Sequence, residues 1–154
     1  MKREIRLYNV MFPIWFFFLW PVPFWLIILP INFAFDSLVL WLAAKKKQIQ
    51  EKIWKKSILR IWLIGFLSDQ LGAGLIFLMM LAVDKLGLNW DIFLFPGTTL
   101  FSLPGVLLAG LLIYRLNSRF SFRKTNLTAA EIHFLSLALA IFTAPYAMLI
   151  PLYG

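Results

Sequence analysis

The sequence has no cysteine and a single histidine, and these two shortages close off a good deal of chemistry. Without cysteine there is no disulfide, no thiolate metal site and no thiol redox couple. With one imidazole there is no Cys–His pair, no three-histidine zinc site and no HExxH motif. No P-loop, GxGxxG turn or GxSxG elbow occurs, so a Ser–His–Asp triad built on His133 would lack its usual setting. Charge is scarce too: 14% of the 154 residues are charged, against about a quarter in an ordinary soluble domain. An enzyme is the least favoured class: Asp36 and Asp69 could hold Mg²⁺ for chemistry on a lipid phosphate, but such a site usually shows more acids and basic phosphate-binding residues at the same depth.

What is present is apolar. Hydrophobic residues make up 62% of the chain and the mean hydropathy is +0.83, so the expected solvent is lipid. Length allows one domain, and spans of about 20 residues each leave no room for a soluble one. Three stretches, 58–83, 98–114 and 127–150, are long enough to cross a hydrocarbon core of about 30 Å. In lipid each backbone amide must be paired, and the ten-residue alternation of a membrane barrel is missing. The expected fold class is therefore all-α, a polytopic transmembrane helical bundle.

The formal net charge is +8, which in a soluble chain would raise nucleic acid as a partner. Here position explains it. Three Lys or Arg lie in residues 1–9, seven in 45–60, one in 84–97 and four in 115–124. The positive-inside rule puts the three rich segments in the cytoplasm and residues 84–97, with Asp84 and Asp91, and the C-terminus outside a cell membrane. Trp90 and Tyr153 suit interfacial anchoring. Residues 45–57 form a basic amphipathic segment, with Ile49, Ile53 and Trp54 opposite Lys47, Lys52, Lys55 and Lys56. Its expected partner is anionic inner-leaflet lipid, and nucleic-acid binding is not expected.

Residues 10–44 are harder to place. Positive charge at both ends asks the chain to leave and return on one side, yet a helix of that length reaches about 52 Å where two crossings need about 60 Å. Pro13, Pro21, Pro23 and Pro30 offer breaks, so the expectation is a proline-broken hairpin or re-entrant segment ending in a firm helix over 31–44. The rival reading puts residues 10–20 in the interface and 24–43 across the membrane as one span. The opening Met1–Arg6 resembles the n-region of a signal peptide, but the apolar run after it is too long for an h-region, and the segment is expected to remain in the mature protein.

Ionisable groups inside a span are costly and mark candidate sites. Asp36 lies nine residues before Lys45 and Asp69 nine after Arg60, so both sit about 13 Å from the cytoplasmic boundary. Glu131 and His133 follow Lys124 by seven and nine residues, a similar depth if their helix starts at once. Asn32 shares the Asp36 face at i−4, and Gln70 follows Asp69. The candidate ion- or proton-binding set is thus Asp36, Asp69, Asn32, Gln70, His133 and Glu131. Oxygen ligands suit hard cations, and an added imidazole would extend the choice to zinc or manganese. Without a metal, two close buried carboxylates cannot both stay ionised, so one would hold a proton. Simpler roles compete: Thr128-x-x-Glu131 matches a capping box, a lone histidine is commonly a packing residue, and the aspartates serve equally as interhelical glue.

Small residues mark where helices meet: Ser68 with Gly72, Gly105 with Ala109, and the stripe Ser136, Ala140 and Ala144. Thr143-Ala-Pro145 should break the last span near its end, and Leu103-Pro104-Gly105 should kink the one before. Two functions follow as expectations. One is a small channel or transporter for a cation or protons, working through the carboxylate layer and self-associated as a homo-oligomer. The other is an accessory or scaffold subunit of a larger membrane complex, docked through its small-residue faces. The identity of any cofactor is open.

Overall fold

The computed structural model describes residues 25–45, 50–87 and 96–150. Four helices account for most of them: α1 (Trp25–Lys45), α2 (Gln50–Lys85), α3 (Gly97–Leu116) and α4 (Ala129–Thr143). A π-helical turn, Asn117–Ser121, extends α3, and a short 3-10 turn, Tyr146–Leu149, follows α4. All four helical segments are long and apolar enough to cross a membrane. No strand occurs among the described residues. The chain is an all-helical protein of membrane type.

The helices turn themselves inside out relative to a soluble bundle. On α2, Leu59, Leu63, Leu67 and Leu71 recur every fourth residue on the exposed face. The opposite face buries Ile61, Ser68, Asp69, Ala73 and Ile76. Helix α3 repeats the arrangement, with Leu100, Leu103, Leu107 and Leu111 outward and Ser102, Val106, Ala109 and Ile113 inward. An exterior of leucine around a small and polar interior suits a hydrocarbon solvent, where close van der Waals packing holds helices together.

Neighbouring helices touch in the cyclic order α1–α2–α3–α4–α1. The α2–α3 seam is the tightest: a Cβ on Gly72 would stand 2.6 Å from the Gly105 carbonyl oxygen and 3.1 Å from the Ala109 methyl. Across the next seam, a Cβ on Gly110 would stand 3.8 Å from both the Ala140 carbonyl oxygen and the Ala144 methyl. Helix α1 is joined to α2 by aromatic edges, Trp25 on Phe66 at 5.3 Å and Phe33 on Trp62 at 5.9 Å. The Trp62 indole also donates to the Leu29 carbonyl at 3.0 Å.

Two boundaries differ from those read in the sequence. Helix α1 is continuous through Pro30 over 21 residues, about 31 Å, so no break falls at that proline; residues 10–24, on which the expected hairpin and its rival differ, lie outside the described residues. Residues 46–49 lie outside the described residues. From Gln50 onward the basic amphipathic segment runs into the apolar span without a break, both lying in the 36 residues of α2, about 54 Å. That length exceeds a hydrocarbon core by about 24 Å, so its cationic first turns project beyond the apolar part. At Leu103-Pro104-Gly105, α3 stays helical. Helix α4 stops at Thr143 before Pro145, as the Thr-Ala-Pro sequence implies, and Thr143 Oγ1 returns to the Leu139 carbonyl at 2.8 Å.

Candidate functional site

Asp36 and Asp69 come from different helices and face one small cavity. Its walls are Asn32, Phe35 and Asp36 of α1, Gly65 and Asp69 of α2, and Thr143 of α4, and its volume is about 20 Å³. A cavity needs some 10–15 Å³ to admit a water, so there is room for one water or one small bare cation. Both carboxylates are deeply buried, each 4% exposed. Burial of that kind without partners is expensive, and Asp69 Oδ1 has no hydrogen-bond partner.

Each wall residue arrives by helical register. Asn32 and Asp36 are one turn apart on α1, and Gly65 and Asp69 one turn apart on α2. Gly65 gives the carboxylate room: a Cβ there would lie 3.2 Å from Asp36 Oδ2, which would have to shift by a few tenths of an ångström. The Thr143 hydroxyl donates to the Leu139 carbonyl at 2.8 Å and lines the cavity beside Asp36. Its single proton is given to that carbonyl, so toward the cavity the oxygen can act as an acceptor. The donor set is two carboxylates, one carboxamide and one hydroxyl, all oxygen, which suits a hard cation or a proton.

The other sequence candidates lie elsewhere. Glu131 closes the capping box of α4, accepting from the Thr128 amide at 2.9 Å while its own amide donates to Thr128 Oγ1 at 3.3 Å. His133 is exposed and its Nδ1 shares a hydrogen bond of 2.9 Å with the Tyr114 hydroxyl. Their assignment to the aspartate layer is therefore corrected. The α4 helix begins at Ala129 rather than at Lys124, so both residues sit in its first turns, and the level of the cavity is reached at Thr143, about 15 Å beyond His133. With His133 removed, the site offers no imidazole, and among the described residues no group of three His, Cys, Asp or Glu gathers for a metal. Gln70 follows Asp69 but does not line the cavity; its buried Nε2 has no partner.

Two wall residues escape the sequence reading. Gly65 precedes Asp69 by one turn, and its lack of a side chain on that polar face is the signal that could have found it. Thr143 is visible as a helix-ending residue, but nothing in the sequence says that the end of α4 falls beside α1.

The packing residues divide cleanly. Gly72, Gly105 and Ala109 meet across α2–α3, and Ala140 and Ala144 meet Gly110 across α3–α4. Ser68 is fully buried with its hydroxyl on the Ile64 carbonyl at 2.7 Å, and Ser136 is fully buried without a partner for its hydroxyl. Neither a protein-family model, a curated protein nor a solved structure matches this chain.

Proposed function

We propose that this chain moves a cation, or couples transport to protons, through the cavity formed by Asp36 and Asp69. The observation that carries the reading is the pairing of two buried carboxylates from separate helices around space for one small particle, with Asp69 Oδ1 unpartnered. Such a pair is costly as structure alone, and an ionisable group at membrane depth is a natural stopping point for a positive charge. Asp36 and Asp69 would hold the charge, Asn32 and Thr143 would complete its oxygen shell, and Gly65 would admit it. The membrane is taken to be the cell membrane, with the cation-rich ends of α1, α2 and α3 on the cytoplasmic side.

The reading as an accessory subunit rested on small-residue faces free to dock a partner. Those of α2, α3 and α4 are largely occupied within the chain, by the Gly72–Gly105 and Gly110–Ala140 contacts. A partner would have to use another surface, which favours transport.

The test is flux in proteoliposomes that carry a pH-sensitive dye or a cation-sensitive dye. Wild type should dissipate an imposed proton or cation gradient, and Asp36→Asn and Asp69→Asn should each reduce that rate at least tenfold while eluting as folded protein. Equal rates in wild type, both variants and empty vesicles would end the proposal.

A further inference from the structure

A second polar concavity lies far from the aspartates, at the cation-rich end of the bundle. It is lined by Lys52, Ile53 and Lys56 of α2 and by Thr125, Asn126 and Leu127 of the segment entering α4, with a volume of about 120 Å³. Lys52 and Lys56 are one helical turn apart and both exposed. Lys56 Nζ reaches the Lys124 carbonyl at 3.4 Å, which holds it at the rim, and an ammonium keeps two further donors. Ile53 and Leu127 supply an apolar floor, Ile53 being 2% exposed.

Depth narrows the ligand. Arg60 is the last cation before the apolar run of α2, and Lys56 and Lys52 precede it by four and eight residues, about 6 and 12 Å. A headgroup layer is about 5–8 Å thick on each side. On that count Lys56 lies within the headgroup layer, and the backbone of Lys52 lies about 4 Å or more beyond it, from where a lysine side chain can reach back.

We infer that this pocket binds the phosphate of an anionic phospholipid headgroup, with Lys52 and Lys56 as cationic ligands and Asn126 as a neutral donor. Charge complementarity, concavity and depth all select it. A uniform basic surface would attract the same lipid without a preferred seat, so the claim is for a discrete site.

The experiment is native mass spectrometry of the whole protein released from equal mixtures of phosphatidylglycerol and phosphatidylcholine. Wild type should retain one phosphatidylglycerol in preference to phosphatidylcholine. Lys52→Gln with Lys56→Gln should weaken that retention at least tenfold, as loss of two charge-assisted hydrogen bonds to a seated phosphate requires. Arg119→Gln with Arg123→Gln removes the same charge from the same end without touching the pocket, and should retain the lipid. Asn126→Trp fills the concavity with every charge kept and should lose it, which covers the case of a lysine variant that fails to fold. Equal retention of both lipids by wild type, equal loss in both double variants, or full retention by Asn126→Trp would overturn the site. Displacement of the lipid by equimolar glycerol phosphate would assign the pocket to a soluble phosphate and overturn the lipid claim.

Discussion

A methyl group on Gly65 would stand 3.2 Å from the Oδ2 of Asp36. The bare backbone of α2 thereby lets an α1 carboxylate reach the Asp69 cavity. Alanine is the better helix former by about 1 kcal/mol, so Gly65→Ala should fold at least as well as wild type. It should nevertheless impair transport several-fold, because the carboxylate must shift by a few tenths of an ångström in a cavity of about 20 Å³. Melting temperature and flux, read on the same preparation, check both halves.

Replacing Asp69 by leucine should leave the melting temperature equal to or above wild type. The unpartnered Oδ1 of Asp69 stabilises nothing, and substituting apolar side chains for buried charge is often neutral or favourable. Were Asp69 structural glue, the variant should instead lose about 1–3 kcal/mol. Thermal melting in detergent distinguishes these results, and transport should be lost in either case.

The α2–α3 seam has no spare volume at Gly105, where a Cβ would meet Ile76 Cγ1 at 2.5 Å and the Gly72 carbonyl at 2.6 Å. Gly105→Ala should cost about 1–3 kcal/mol through overpacking. Gly74 has nothing within 4 Å of its Cβ position, so Gly74→Ala should cost nothing. Equal melting temperatures for the two variants would contradict the seam.

Thr128→Ala should destabilise by about 1 kcal/mol through loss of the α4 cap with transport unchanged. Glu131→Gln keeps a side chain that can serve a capping box and should be silent in both assays. A flux defect in Glu131→Gln at normal stability would return Glu131 to the pathway.

The parts legible from sequence were those governed by one-dimensional rules. Unbroken apolar runs in a chain that must pair every amide gave the helices, and Gly72 and Gly105 marked a close approach because little else permits one. Counting residues from Lys45 and Arg60 placed Asp36 and Asp69 at one depth, and they line one cavity. The same count run from Lys124 put Glu131 and His133 in that layer only if α4 began at once; the competing signal, the Thr128-x-x-Glu131 capping box, is the one the backbone follows. Proline misled in a related way: Pro30 lies inside a continuous α1, where lipid gives the backbone no better alternative than a helix. Thr143 needed the third dimension, since only the closing contact of α1 on α4 puts it beside Asp36.

The central claim, that Asp36 and Asp69 share one ion site, is tested most directly with a hydrophobic carbodiimide, which reaches carboxyls at membrane depth when they carry a proton. Labelling of proteoliposomes, mapped by peptide mass spectrometry alongside flux, should place one adduct per chain on Asp36 or Asp69, stop flux in proportion to labelling, and be slowed by the transported cation. Adducts on both aspartates of one chain, or full labelling with undiminished flux, would contradict it.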